Sequence, residues 1–484
     1  MNRLLKLYND SGRWGNIILL VLLILFGVIN RLFMVVKYRY VDYILEAILI
    51  ALALILVLKI YKKDLFKFSK PKIFKILLIA GIVMRIILGV HDLYDRPIQE
   101  SDYEKHERLG ARIAFEGEFY DFTGVELRNF RQPGLPVVFA IGLWICNNPV
   151  TYAIIMILFS FGVLIAGYNL FSDIKNIAAL FSFAYLALSP NMLFMASSSN
   201  TQLSFFFFLI LIFIALKNYK GKTYQLLIIG ALLAAEMYVR FNFLMVFILI
   251  PFIIEKHKED NIENPLAKLG IIYIACLVFY SPWIYRNYMI YGTIRFMPTT
   301  GLGFYSSNVT KDYTKVGGYN GVPDSVLNKY SKLTEVEFDN ALKTDAINYI
   351  KNNPDIYIKG IPFRLIKFSD RQNWTIDYFF THTKYTNSQF ADDFFQTIEN
   401  FFVWVVLFLP LFFLIKNRKL SSLPVYILWV YLSYSIVLLS ISETRSRYNF
   451  PYVLFPVFAV ALSGKEKDDE KTSHATSNNL EILK

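Results

Sequence analysis

The sequence predicts an all-α protein that crosses a membrane many times, and three observations predict it. Of the 484 residues, 55% are hydrophobic and 18% charged, whereas soluble domains run at about 45–50% and about 25%. The apolar residues, led by 44 Phe and 32 Tyr, fall in blocks about as long as a bilayer is thick, with short polar punctuation between them. The Lys and Arg behind the net charge of +12 gather in links that one topology places together on the cytoplasmic side. A charge of this sign would suggest nucleic acid in a soluble chain; here it reads as the positive-inside bias of a membrane protein.

Taken in order, spans are expected around 15–36, 42–60, 73–90, 150–170, 177–195, 203–216, 224–239, 241–254, 269–284, 400–415, 422–440 and 449–463. The first has no small-residue cleavage site after it and reads as an anchor. Leu135 to Cys146 is too short for a full crossing and suits an interfacial or re-entrant piece. The positive-inside rule decides its role. The link Lys59–Lys75 holds seven lysines, and Lys217–Lys222, Lys256–Lys268 and Lys416–Lys419 are also basic. If 135–146 does not cross, all four links and both termini share the cytoplasmic side, giving about twelve crossings. Cys146 and Cys276, the only cysteines, lie in apolar stretches without CxxC spacing and read as buried small hydrophobes.

This topology divides the chain into an N-terminal pair of spans with a cytoplasmic link (1–72), a core (73–284) with an outer loop at 91–134, an outer lobe (285–399), the last spans (400–463) and a disordered cytoplasmic tail (464–484). Within the lobe, Thr334-Glu-Val-Glu337 is a capping-box pattern opening a helix of about fifteen residues that stops before Pro354. The lobe is therefore expected to be a small folded unit, α or α+β.

The polar residues of the outer side carry any chemistry. Carboxylates and two histidines crowd the stretch from His91 to Glu107. Tyr103 to Phe115 has helical character, which sets Ser101–Asp102 at a helix N-terminus, where the dipole favours a carboxylate. Asp102 there suits a plain cap and equally suits a fixed general base, with Glu100, Tyr103 and His106 beside it. Arg131-Gln-Pro-Gly134 is a rigid turn into the membrane surface. Arg131 either snorkels or faces a phosphate. Arg240 lies between two spans, Arg286 and Asn287 follow the Trp283–Tyr285 aromatic belt, and Glu443, Arg445, Arg447 and Tyr448 fill a late link. Each arginine alone is ordinary. Four of them on the side where positive charge is normally depleted point to an anionic ligand, such as a lipid-linked phosphate or pyrophosphate. No GxxxxGK[ST], no GxGxxG between strand and helix, no HExxH and no Cys/His metal spacing is present.

Several pieces in order resemble the GT-C glycosyltransferases, in the bacterial branch related to protein O-mannosyltransferases and the aminoarabinose transferase of lipid A. The resemblance covers roughly 73–463. It rests on Ser101-Asp102-Tyr103 after a span, a helix ending at Glu116-Gly117 and an Arg-Pro-Pro-Gly-like turn at Arg131-Gln132-Pro133-Gly134. Pro282-Trp283-Ile284-Tyr285-Arg286-Asn287 and then Gly292 come next, with a Gly301-to-Tyr305 turn and Asn308. Arg447-Tyr448-Asn449-Phe450-Pro451 follows, with Glu443 before it. Gln132 departs from the family's proline. Ser198-Ser199-Asn200-Thr201 stands where the family often has a Thr-Glu pair, so a supporting acid is missing from that segment. The two extra N-terminal spans are even in number and preserve sidedness.

The resemblance implies a GT-C-like bundle and a membrane glycosyltransferase that moves a sugar from a polyprenyl phosphate or pyrophosphate to a glycan, lipid or protein acceptor at the outer leaflet. Asp102 matches the acid that engages the acceptor; Arg286 and Arg447 match residues near the polyprenyl phosphate. The carboxylates allow a divalent cation, but no cofactor is required, and the partners implied are the donor lipid, the acceptor and the bilayer, with no nucleic acid. A bacterial plasma membrane is the expected location. The rivals are a lipid-linked oligosaccharide flippase, which would use buried acids such as Glu46 and Glu236, and an O-antigen polymerase or ligase, which would depend on arginines of a large late loop.

Overall fold

The structure is a computed structural model, and it describes residues 2–30, 40–62, 71–99, 102–122, 126–127, 131–240, 249–250, 252–254, 256, 264–296, 300–318, 320–370, 374–384, 386, 388–416, 420–441 and 452–463. Glu100, Glu443, Arg445, Arg447 and Tyr448, most of the expected span 241–254, and the tail 464–484 lie outside the described residues, as does the side chain of Asp102.

The protein is an all-α polytopic membrane protein. Among the described residues, seven helices are long and apolar enough to cross a bilayer. They are α1 (Asn2–Ile29), α2 (Tyr40–Lys62), α3 (Pro71–Asp95), α6 (Val150–Phe171), α11 (Pro265–Tyr291), α17 (Gln389–Lys416) and α18 (Ser422–Ile441). A bent pair, α7 (Ile177–Leu188) with α8 (Pro190–Phe194) and the 3-10 turn Met195–Ser197, passes the same test together and is either a broken span or a re-entrant loop. Shorter apolar helices are α5 (Gly134–Ile145), α9 (Thr201–Lys217) and α10 (Thr223–Val239), and α19 (Phe455–Leu462) closes the described chain. The described strands are one antiparallel pair, Asp121–Phe122 with Glu126–Leu127, in the first loop.

Long runs of Leu, Ile, Val and Phe form these helices because a spanning segment must satisfy its own backbone hydrogen bonds. Between helices in lipid, close approach replaces the hydrophobic effect, so small residues mark the crossings. Gly230 of α10 shows why: a Cβ there would stand 2.7 Å from the Ile272 carbonyl oxygen of α11. α3 packs on α6 and α7, α2 on α17, and α1 on α17 and α18.

Two faces are defined by the hydrogen bonds at helix ends. On one, Lys217 donates to the Leu170 carbonyl and to Asp173 (both 2.8 Å), Lys268 to the Gly221 carbonyl (2.9 Å), Arg13 to the Leu414 carbonyl (2.7 Å) and Asn176 to the Ala461 carbonyl (2.7 Å). This gathers the N-terminal part of α1 with the ends that the basic links follow or precede. On the other, Asp95 accepts from the backbone amides of Lys384 and Thr386 (2.7 Å each). α5 stays at this second face. Twelve residues rise only about 18 Å, its first residue meets Tyr238 near the end of α10, and Thr151 at the start of α6 donates to the Cys146 carbonyl (2.9 Å). The sequence places both cysteines in apolar surroundings; Cys276 is buried, but Cys146, past the end of α5, is exposed.

The lobe consists of α12 (Gly301–Asn308), α13 (Asp324–Tyr330), α14 (Glu335–Asn352), α15 (Pro354–Phe368) and α16 (Trp374–His382). Its α12–α14 share a small core of Tyr305, Phe338, Leu342 and Ala346, whereas Phe368 of α15 and Ile376, Phe379 and Phe380 of α16 join the main core of the bundle. The capping box opens α14, with the Thr334 amide donating to Glu337 at 3.0 Å and the Glu337 amide to Thr334 Oγ at 3.4 Å. α15 then begins with Pro354 in its first turn. The flanking helices α11 and α17 run further into the expected lobe than its limits of 285 and 399, to Tyr291 and from Gln389.

Candidate functional site

The first loop leaves α3 as Arg96-Pro-Ile-Gln99 and is clamped from two sides. The Ile98 amide donates to the His382 carbonyl (3.0 Å), and the Tyr378 hydroxyl donates to the Ile98 carbonyl (2.7 Å). Gln99 accepts from the Ser199 amide (2.9 Å) and donates to the Ser197 carbonyl (3.2 Å). α4 (Asp102–Phe115) opens at Asp102. Its Tyr103, His106, Leu109 and Gly110 are buried, a helical spacing that turns one face onto α5. Tyr103 stacks on Trp374 (5.7 Å between centroids) and meets Tyr378 edge-on (4.9 Å).

One turn further, Glu107 joins a polar cluster that the sequence did not disclose. Its Oε1 takes the Arg96 guanidinium at 2.8 Å and the Ser199 hydroxyl at 2.5 Å, and Arg96 also donates to Ser199 Oγ at 2.9 Å. Arg96 and Glu107 are 16% and 17% exposed. A carboxylate of α4 thus meets the Ser198–Thr201 segment. No local motif announces this, because the partners are about ninety residues apart in sequence.

The Arg131 turn lies against the ends of α10 and α11. A Cβ on Gly134 would fall 2.7 Å from the Tyr238 carbonyl oxygen, so glycine permits the contact. Gln132, buried, accepts from the Tyr280 hydroxyl at 3.5 Å, and the Tyr280 hydroxyl also donates to the Phe296 carbonyl at 2.9 Å. Arg131 and Arg240 are both half-buried. Arg240 follows the last residue of α10 and donates to the Thr201 hydroxyl and the Tyr434 hydroxyl (3.3 Å each). Arg286 lies over Trp283 (4.6 Å) and Phe119 (5.2 Å) and donates to the Phe119 carbonyl (2.9 Å) and Asn287 Oδ1 (3.1 Å). Asn287 is fully buried and donates to the Arg295 carbonyl (3.1 Å), so its side chain fixes the chain after α11.

The link 197–201 is therefore the hub. Ser199 meets the acidic loop and Thr201 meets Arg240. Tyr103, His106, Arg131, Arg240, Arg286 and Asn287 are all carried by elements ending at this face.

The buried acids divide differently from the sequence reading. Glu46 accepts from Trp404 Nε1 (2.8 Å) and Asn400 (3.4 Å) and ties α2 to α17. Glu236 is fully buried, and neither carboxylate oxygen has a hydrogen-bond partner among the described residues. Glu399 is also fully buried and was not singled out by the sequence. Among the described residues, no three His, Cys, Asp or Glu are grouped to hold a metal ion.

No family model matches the sequence, and no curated protein does. Among solved structures, the chain is similar to that of ArnT from Cupriavidus metallidurans bound to undecaprenyl phosphate. The likeness covers 79% of this chain and 77% of that one, at 11% identity and a TM-score of 0.37.

Proposed function

We propose that the protein is a membrane glycosyltransferase that takes a sugar from a polyprenyl-phosphate donor and passes it to a glycan, lipid or protein acceptor at the face bearing α4. One observation carries the reading: the link 197–201 joins the loop of Asp102 to Arg240 on one face of an apolar bundle. The donor class rests on the order of motifs in 73–463. In the reaction, an acceptor hydroxyl attacks the sugar's anomeric carbon as Asp102 takes its proton. The bond from that carbon to the phosphate oxygen breaks, and the electron pair leaves on the phosphate. Glu100 or His106 supports the base. Arg131, Arg240 and Arg286, with Arg445 and Arg447 from the late link, offset the growing phosphate charge, the electrostatic contribution that is usually largest. The bundle holds the prenyl chain, the lobe receives the acceptor, and the face is extracytoplasmic in a bacterial plasma membrane. The loop carboxylates would hold a divalent cation if one takes part.

Glu236, buried and without a hydrogen-bond partner among the described residues, favours a second reading, a transporter of lipid-linked glycans, since buried ionisable groups in spans mark transport paths. Reconstitution in vesicles separates the two. With a labelled polyprenyl-phosphate sugar, the transferase reading expects label in the acceptor, lost in Asp102→Asn at equal expression. Movement of intact donor between leaflets without transfer, abolished in Glu236→Gln, would replace it.

A further inference from the structure

The apolar stretch from Ile177 is broken. α7 and α8 meet at 44°, with Ser189 in a non-helical conformation (φ −60°, ψ 129°) and Pro190 starting α8. Proline has no amide hydrogen, so the Leu186 carbonyl loses its helical donor. The Asn191 amide, which would have served Ala187, turns to Glu399 Oε2 at 3.2 Å. Inside a bilayer such stripped groups must be satisfied by protein.

Two charged side chains from distant spans do this. Arg85 of α3 is 1% exposed. It donates to the carbonyls of Leu186 (2.8 Å) and Ala187 (3.0 Å), and further to Ser160 Oγ (2.9 Å), the Ser160 carbonyl (3.1 Å) and the Gly81 carbonyl (3.1 Å). Glu399 of α17, besides the Asn191 amide, accepts from Ser189 Oγ at 2.5 Å and from the Tyr185 hydroxyl. A cation thus closes the C-terminus of α7 and an anion the N-terminus of α8, each the sign the helix dipole favours. Charged residues in spans are costly and rare, and here both are spent on one bend.

The bend leads directly to the candidate site. α8 and its 3-10 turn end in Ser197–Ser199, which hold Gln99 and Glu107. Asn191 Oδ1 accepts from the Thr375 hydroxyl, and the neighbouring Trp374 is the ring on which Tyr103 stacks. Besides the packing of α4 on α5, two supports of the loop that carries Asp102 therefore hang on α8. We infer that Arg85 and Glu399 are positioning residues that fix the α7–α8 break and, through it, the pose of loop 96–107. What the loop does rests on the transferase reading; that it is held in this way does not.

A thiol reporter tests this without activity. Ser197 is 1% exposed and its hydroxyl makes no hydrogen bond among the described residues, so Ser197→Cys, in a background of Cys146→Ala and Cys276→Ala, reports docking of the loop. Glu399→Gln and Arg85→Met are expected to speed maleimide labelling by about tenfold or more, the scale of losing one charge-assisted hydrogen bond. Asp339→Asn, a buried acid of α14 whose partners are Gly301 and Lys343, is expected to leave the rate within about twofold, as for distant independent sites. In the transfer assay on the parent sequence, kcat is expected to fall by about a hundredfold with little change in donor KM, the cost of a misplaced reacting group, with partial recovery in Arg85→Lys. Wild-type labelling rates in folded Glu399→Gln would overturn the inference, even if Arg85→Met does not fold. Absence of transfer by the unaltered protein would instead remove the function reading and leave the labelling result to decide the positioning.

Discussion

Glu107→Ala separates docking of the first loop from the rest of the fold. Glu107 is held to Arg96 at 2.8 Å and to Ser199 at 2.5 Å, with both charged side chains less than a fifth exposed (17% and 16%). An exposed ion pair is worth about 0–1 kcal/mol, and breaking a fully buried one costs about 3–5 kcal/mol. This half-buried pair falls between, and the hydrogen bond from Ser199 to a charged acceptor adds part of about 1.5–3 kcal/mol. Arg96 keeps its bond to Ser199, which limits the loss. A docking cost of about 2–3 kcal/mol follows, equivalent to a shift of about thirty- to about 160-fold in the population of undocked loop. Hydrogen exchange of the detergent-solubilised protein reads this locally. Amides of 96–115 and of the 197–201 link are expected to exchange about thirtyfold or more faster, while those of α2 and α17 keep their rates. Unchanged exchange in 96–115, or an equal rise everywhere, would refute the claim that this pair clamps the loop.

Other perturbations follow from the same contacts. Trp374→Ala removes the ring under Tyr103 and is expected to loosen the start of α4 by about 0.5–1.5 kcal/mol beyond the buried area lost, read as faster exchange at 102–106. Gly134→Ala forces a Cβ to 2.7 Å from the Tyr238 carbonyl and is expected to cost about 1–3 kcal/mol, seen as a lower melting temperature. Thr334→Ala removes the cap of α14 and is expected to destabilise the lobe by about 1 kcal/mol, with the spans unaffected in exchange. The hydrogen bonds from Thr334 hold the Glu337 carboxyl below its usual range. A depressed folded pKa gives stability that is present above the unfolded value and is lost as pH falls through the folded one. Acidification below about pH 4.3 is therefore expected to fray α14 in the wild type and less so in Thr334→Ala.

Much of this was legible because a bilayer imposes simple rules. Block length marked the apolar segments, but of the twelve expected spans seven are single helices long enough to cross among the described residues, one is the bent pair, and 203–216 and 224–239 are shorter helices. The short 135–146 segment lies in the structure as a twelve-residue helix. The Thr334 capping box was readable because its partners are three residues apart. Arg96–Glu107–Ser199 was not, since nothing local links residues from three elements. Arg85 and Glu399 were missed for a related reason: each looks like an isolated charge in or beside an apolar run. Only Pro190, inside an expected span, hinted at the orphaned carbonyls that Arg85 serves. Gly134 read as a turn residue, but its closer constraint is the Tyr238 carbonyl.

The central claim is transfer of a sugar from a polyprenyl phosphate at the face where the acidic loop meets the arginines. The most direct measurement is product stoichiometry with purified, reconstituted protein and a doubly labelled donor, one label on the sugar and one on the prenyl chain. The account predicts one glycosylated acceptor for each polyprenyl phosphate released, with neither product formed by Asp102→Asn. Donor left intact in the presence of acceptor, or both products formed undiminished by Asp102→Asn, would contradict it.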